Sequence, residues 1–164
     1  MNTILYFAYG SNMSTRRLVA RVPSARAVSV AMLRGHRLEF HKIGKDGSAK
    51  CDAAYTDDLN DVVCGVVFEM ALSEKPTLDR IEGLGNGYAE KEVAVLSKSD
   101  EAFEAVTYYA TNIDALLKPR DWYLEHVLRG AREHGLPSEY IGRIEAIESI
   151  PDPENYEVEM TIYQ

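Results

Sequence analysis

The hydrophobic residues change their spacing late in the chain, and this change most constrains the fold. Up to residue 110, short segments rich in β-branched and aromatic residues, such as TILYFAY (3–9) and DVVCGVVFEM (61–70), predict strands. Beyond residue 120, apolar residues recur at helical spacing along one face of segment 121–134. Strands followed by helices are typical of an α+β domain.

Turn residues separate the predicted strands. The glycine of RGH (34–36) divides one long apolar stretch into two strands, and segment 98–101 joins two alternating segments as an antiparallel pair. A short helix over 73–83 is inserted between strands. We therefore expect one domain over residues 1–164, with a small mixed, mainly antiparallel β-barrel and inserted and C-terminal helices.

The net charge limits the classes of partner that we expect, and the cysteine content indicates the compartment. The formal net charge is −8 and no basic stripe is visible, so we expect neither nucleic acid nor an anionic membrane surface as a partner. Two cysteines, Cys51 and Cys64, are too few for a disulfide framework and fit buried positions in a cytoplasmic protein. The sequence leaves monomer and homodimer both open.

The sequence predicts neither a metal site nor a nucleotide site. It contains no Gly-x-Gly-x-x-Gly and no phosphate loop, and its four histidines lack metal-ligand spacing. His126 and His134 are eight residues apart on one predicted helix, too far to share a metal. We interpret both as solvated surface histidines.

The segment FAYGSNM (7–13) is the strongest local signal. Gly10, Ser11 and Asn12 follow a strand and offer free backbone N–H groups ahead of a helix that Ser14 can cap. Such a loop favours binding of a carboxylate or an oxyanion. The alternative is an ordinary strand-to-helix turn.

A second signal lies in LDRIEG (78–83). Glu82 directly precedes Gly83, which stops the helix, so its carboxylate meets the negative end of the helix dipole. Burial there would favour its neutral form and prepare it for proton transfer. The alternative is a surface glutamate, and the glycines at 83, 85 and 87 predict either a mobile lid or a plain connector.

Four segments in this order resemble the γ-glutamylcyclotransferase (AIG2-like) family. They are FAYGSNM, GVVFEM, LDRIEG and the helical pair WYLEHVLRGAREHGLPSEYIGRIEAIE, which together span nearly the whole chain. The resemblance implies a small mixed barrel with a cavity at its mouth.

The resemblance also implies the site residues. Glu82 would be the catalytic acid/base, Asn12 would support the loop, Tyr123 would lie over the substrate, and Tyr88 is interpreted as a strand aromatic. The residues implied to line the substrate pocket are Tyr6, Phe7, Ala8, Tyr9, Gly10 and Ser11.

The reaction implied by the resemblance is an intramolecular acyl transfer. The substrate's α-amine attacks its own γ-carbonyl, forms 5-oxoproline and releases an amino acid or amine, with no metal or organic cofactor.

Asn12 and Met13 favour γ-glutamyl amino acids as substrates, although glutathione or a biosynthetic γ-glutamyl intermediate stays an alternative. A catalytically silent module that binds a γ-glutamyl metabolite is the other alternative. We expect glutathione to be a poor substrate, because no Arg or Lys lies in either signature loop to pair its extra carboxylate.

Overall fold

The computed structural model describes residues 2–164, which form seven strands and five α-helices. The strands are β1 (Thr3–Ala8), β2 (Arg26–Arg34), β3 (His36–Ile43), β4 (Ala49–Tyr55), β5 (Val62–Ala71), β6 (Tyr88–Leu96) and β7 (Ala102–Ala110). The helices are α1 (Thr15–Arg21), α2 (Lys75–Glu82), α3 (Asp121–Glu133), α4 (Ser138–Glu145) and α5 (Pro153–Glu159). None of these helices is long and apolar enough to cross a membrane.

Five strands close into a barrel in the order β1-β5-β2-β6-β7. β1 and β7 pair in parallel, whereas the other barrel pairs are antiparallel. β3 and β4 form a separate antiparallel hairpin. The prediction of a mixed, mainly antiparallel barrel is therefore confirmed.

The site lies at one end of the barrel, where β1 and α2 end. β1 ends at Ala8, and a single 3-10 turn over Ser11–Met13 leads into α1, whose N-cap Ser14 accepts a hydrogen bond from the Arg17 amide at 3.5 Å. α2 ends at Glu82 because Gly83 adopts a left-handed conformation, with a φ of 74°. The predicted cap at Ser14 and the predicted stop at Gly83 are both confirmed.

The C-terminal segment overturns the interpretation of His126. Its ring is fully buried, with Nδ1 2.7 Å from the Tyr163 hydroxyl and Nε2 3.1 Å from Glu159 Oε1. α5, which the sequence analysis missed, brings Glu159 onto this ring. His134 is also mostly covered, and its Nε2 lies 3.0 Å from the Met13 carbonyl oxygen. The prediction of two solvated histidines is wrong because the C-terminal segment covers His126 and the turn at Met13 covers His134.

Candidate active site

The loop after β1 and the end of α2 meet around an inner cavity. Its volume is about 30 Å³. The lining residues of this inner cavity are Tyr6, Tyr9, Gly10, Ser11, Asn12, Cys51, Glu82, Tyr88, Tyr108 and Tyr123. One carboxylate therefore stands among aromatic rings and the backbone of a tight loop.

Asn12 holds the Glu82 carboxylate. Its Nδ2 donates to Glu82 Oε1 and, at 3.2 Å, to the Tyr6 hydroxyl. In residues 2–164, no donor reaches Glu82 Oε2, and the buried Asn12 Oδ1 has no hydrogen-bond partner. Since buried polar atoms are normally paired, Asn12 Oδ1 marks a place for a donor from a ligand, and Glu82 Oε2 is a second free acceptor in the same cavity.

The surroundings of Glu82 shift its titration. Burial raises the pKa of its carboxyl above the ordinary value of 4.5, and the charge of Arg21, the hydrogen bond from Asn12 and the charges of Arg17 and Lys42 oppose that shift. The net direction is upward. Such a carboxyl can both accept and return a proton under mild conditions.

Hydrogen bonds fix the tyrosine walls. Tyr108 donates to Asp79 Oδ1 at 2.6 Å and Tyr88 donates to the Cys51 carbonyl at 2.5 Å, while the Tyr123 hydroxyl accepts from the Cys51 amide at 2.9 Å. Burial raises the pKa of Tyr88, Tyr108 and Tyr123, so all three remain phenols at neutral pH. The walls are thus neutral and rigid.

Cys51 also reaches the inner cavity, but not as a nucleophile. Burial raises the pKa of its thiol to about 12. The thiolate is the reactive form of cysteine, and it is scarce at neutral pH at this site.

The loop lies close to the opposite wall at Gly10. A Cβ added there would lie 3.1 Å from Cys51 Cβ and 3.3 Å from the Tyr123 hydroxyl. A glycine thus leaves the gap between the loop and Tyr123 open. Ser11 begins a 3-10 turn, where amides lack partners inside the helix.

A wider vestibule of about 320 Å³ adjoins the inner cavity and shares the walls Ser11, Glu82, Tyr88 and Tyr123 with it. The other residues of the vestibule are Arg17, Arg21, Lys42, Gly44, Lys45, Asp46, Lys50, Ile81, Gly83, Asn86 and Trp122. A ligand can therefore extend from the tyrosine-walled inner cavity past Glu82 into a cationic outer one.

Comparisons with known proteins agree with this geometry. The profile of the AIG2-like family matches residues 62–144. The chain is 36% identical to the γ-glutamylcyclotransferase of Bos taurus and 36% identical to that of Homo sapiens, each over 89% of this chain and 79% of the relative. The chain belongs to the γ-glutamylcyclotransferase family. A solved structure of a γ-glutamyl cyclotransferase superposes with a TM-score of 0.86 at 30% identity, over 96% of this chain and 98% of that one.

The structure brings most of the residues implied by the γ-glutamylcyclotransferase resemblance to one cavity, but not all. Tyr6, Tyr9, Gly10, Ser11, Asn12, Glu82 and Tyr123 line it. Phe7 and Ala8 do not line it. Both side chains are buried in the barrel core, and strand alternation turns Phe7 away from its neighbour Tyr6. The structure therefore does not bring these two side chains to the pocket that the resemblance implied.

Three wall residues were missed. Tyr88, interpreted as a strand aromatic, is the first residue of β6 and also lines the inner cavity. Tyr108 and Cys51 lie on β7 and β4 and carry no local motif. Barrel closure brings β6 and β7 beside the γ-glutamylcyclotransferase signature loop, and the separate β3–β4 hairpin brings β4 there.

Proposed function

We propose that this chain is a γ-glutamylcyclotransferase that converts a γ-glutamyl amino acid or amine into 5-oxoproline and the free amino acid or amine. The observation that carries the proposal is the pair of unpartnered acceptors, Glu82 Oε2 and Asn12 Oδ1, in a cavity walled by the Tyr-Gly-Ser-Asn loop. An α-ammonium group supplies the donors that these oxygens lack.

Glu82 is the acid/base in this mechanism. It takes a proton from the substrate's α-ammonium, whose nitrogen then attacks the γ-carbonyl carbon as a neutral amine. The new C–N bond closes a five-membered lactam and the C–N bond to the leaving group breaks. Two protons leave the α-nitrogen and two reach the departing nitrogen, so the reaction neither consumes nor releases protons overall. A carboxyl with a raised pKa suits this relay.

The remaining walls fold and polarise the substrate. The rigid phenols of Tyr88, Tyr108 and Tyr123 confine the glutamyl chain in its cyclising rotamer, a proximity effect. Amides at Gly10 and Ser11 stabilise the oxyanion that forms on the γ-carbonyl oxygen. The protein needs no nucleophile of its own, because the substrate supplies the attacking nitrogen.

Poor turnover of glutathione stays a prediction, and it rested on the lack of Arg or Lys in either signature loop. Lys42 and Lys50 of the β3–β4 hairpin nevertheless line the vestibule. The charge of the vestibule therefore does not repel the extra carboxylate of glutathione. The turnover of glutathione depends on where that carboxylate lies in the vestibule.

A panel of γ-glutamyl compounds tests the proposed activity. We expect wild-type protein to release 5-oxoproline and a stoichiometric amount of amine from at least one γ-glutamyl amino acid. The silent binding module predicts instead that the same compounds raise the Tm while no product forms. That second result would refute the proposal.

The pH dependence of kcat/KM follows from the raised pKa of Glu82. Activity falls as pH decreases through that pKa, because a protonated carboxyl cannot take the substrate's proton, and this acid limb lies above the ordinary glutamate value of 4.5. Arg21 is the charge that most opposes the shift, so Arg21→Gln moves the limb to higher pH. Arg16→Gln, on the exposed side of α1, serves as the control and leaves the limb in place. An Arg21→Gln profile that superposes on wild type would contradict the assignment of Glu82 as the base.

Replacing Cys51 separates this mechanism from covalent catalysis. We expect Cys51→Ala to keep kcat/KM within about tenfold of wild type, since the thiol only lines the cavity. Loss of a true nucleophile costs several orders of magnitude. A loss of that size, in a variant with a normal Tm, would show that Cys51 forms an acyl intermediate.

We propose a small-molecule substrate, a cytoplasmic location and no nucleic-acid or membrane partner. Both cysteines are free and buried, which suits a reducing compartment. The net charge of −8 disfavours polyanionic partners.

A further inference from the structure

The vestibule has a charge opposite to that of the whole chain. Its side chains include five cations, Arg17, Arg21, Lys42, Lys45 and Lys50, against two carboxylates, Asp46 and Glu82. The chain as a whole carries −8. A cationic mouth on an acidic protein indicates recognition of an anionic ligand.

A β-bulge places two of these cations side by side. His41 is an extra residue of β3, because Phe40 pairs with Cys51 and Lys42 then pairs with Lys50. Residues directly opposite each other in an antiparallel pair project from the same face, and like charges there destabilise the sheet. The hairpin therefore keeps an arrangement that costs stability.

Both ammonium groups are seated on the walls of the cavities. Lys42 Nζ lies 4.5 Å from the centre of the Tyr88 ring, and Lys50 Nζ lies 4.5 Å from the centres of the Trp122 and Tyr123 rings. Gly87 packs on the end of Lys42, since a Cβ added at Gly87 would lie 3.1 Å from its Nζ. The two positive charges are thus held at the boundary between the inner cavity and the vestibule.

The protein neutralises this pair only in part. In residues 2–164, no carboxylate lies within 4.0 Å of Lys42 Nζ, and the nearest one to Lys50 Nζ is Asp46 at 4.0 Å. Lys75, by contrast, contacts Glu90 at 2.8 Å as well as Asp79. Lys42 is only 7% exposed, and burial lowers the pKa of both Lys42 and Lys50. Two partly desolvated cations that share only one long ion pair, from Lys50 to Asp46, form a site for an anion.

On the basis of the activity proposed above, we propose that Lys42 and Lys50 form the leaving-group subsite and determine substrate specificity by binding a carboxylate of the departing amino acid. Glu82 walls both cavities, so a γ-glutamyl group in the inner cavity directs its amide nitrogen past Glu82 into the vestibule. In a γ-glutamyl α-amino acid the carboxylate carbon is two bonds from that nitrogen. It therefore leaves the inner cavity at the boundary where the two lysines lie.

The test compares γ-glutamyl-alanine with γ-glutamyl-ethylamide, its counterpart without the carboxylate. We expect wild type to favour γ-glutamyl-alanine in kcat/KM by about 10- to 100-fold, the worth of a charge-assisted hydrogen bond. Lys42→Met and Lys50→Met should each bring this ratio close to one, chiefly through KM. The ratio is the readout because Lys42 also influences the pKa of Glu82, which changes both rates together.

Lys91→Met is the matched control. Lys91 Nζ also lies over tyrosine rings, 5.3 Å from the centre of Tyr109, but it contacts His36 and lies outside the vestibule. We expect it to keep the wild-type ratio, and Lys50→Arg to restore most of the ratio that Lys50→Met loses. In wild type, added salt should lower kcat/KM for γ-glutamyl-alanine more than for the ethylamide. The salt measurement uses only wild-type protein, so it does not depend on whether the variants fold.

The failures are distinguishable. A wild-type protein that cleaves both substrates with equal kcat/KM, or Met variants that keep the wild-type ratio, would overturn the lysine subsite and leave the cyclotransferase activity intact. If wild type forms 5-oxoproline from neither of the two substrates, the activity and the subsite are overturned together.

Discussion

Glu82→Gln is expected to reduce kcat for 5-oxoproline formation by about 10²–10⁴-fold, the usual loss on removing a general acid/base. The substituted amide still offers an oxygen to Asn12 Nδ2, so the loop keeps its position. What disappears is the group that moves protons from the α-nitrogen to the leaving nitrogen. The measurement is kcat with saturating γ-glutamyl-alanine, alongside wild type.

The Tm of Glu82→Gln should not fall, although its kcat does. Burial raises the pKa of folded Glu82 above its unfolded value, so its contribution to the free energy of unfolding is present at low pH and is lost as pH rises through the folded pKa. Gln at this position is not subject to that loss, and the Tm of Glu82→Gln should therefore match or exceed that of wild type at pH 8. Glu92→Gln, on the exposed face of β6, is the control and should change neither quantity. Near wild-type turnover in Glu82→Gln would remove Glu82 from the mechanism.

Gly130→Ala is expected to cause a large loss of stability. Gly130 of α3 lies against the 3-10 turn, and a Cβ added there would fall 2.5 Å from the carbonyl carbon of Met13 and 2.5 Å from the amide nitrogen of Ser14. Backbone cannot yield as a flexible side chain can, so α3 and the turn must separate. Overpacking of this kind costs about 3 kcal/mol. For a chain of this size that corresponds to a fall in Tm of about 6–12 °C.

Gly142→Ala supplies a control of opposite sign. Gly142 is also interior to a helix, α4, but a Cβ added there meets no atom within 4 Å. Alanine is the better helix former by about 0.5–1 kcal/mol, so this variant should be slightly more stable than wild type. Thermal unfolding of both variants checks the pair. Equal Tm values would mean that the contact between α3 and the signature loop contributes little.

The sequence was informative where local chemistry decides structure. Gly83 stops α2 in a left-handed conformation, and Ser14 caps α1, as their residue types and positions indicate. These two ends place Glu82 beside the loop that begins at Gly10. The barrel was equally predictable, because alternation along β6 and β7 is visible in their residues.

Features that depend on distant segments could not be predicted. The burial of His126 requires α5, a short, charged helix with little helical signal of its own. Gly130 looks like a neutral helix position until α3 packs on Met13. The lysine pair needs the bulge at His41, because in a regular ladder His41 would lie opposite Lys50 and Lys42 opposite Ala49. In each case the information lies in tertiary contacts rather than in residue type or spacing.

The most direct test of the central claim is turnover of γ-glutamyl-alanine in H₂¹⁸O, with the products analysed by mass spectrometry. Attack by the substrate's own amine breaks the amide without water, so we predict 5-oxoproline that contains no ¹⁸O, formed in equal amount with free alanine. Glutamate carrying ¹⁸O in its γ-carboxyl would show hydrolysis instead. That result would contradict the account, because the cavity around Glu82 would then be activating water rather than closing the ring.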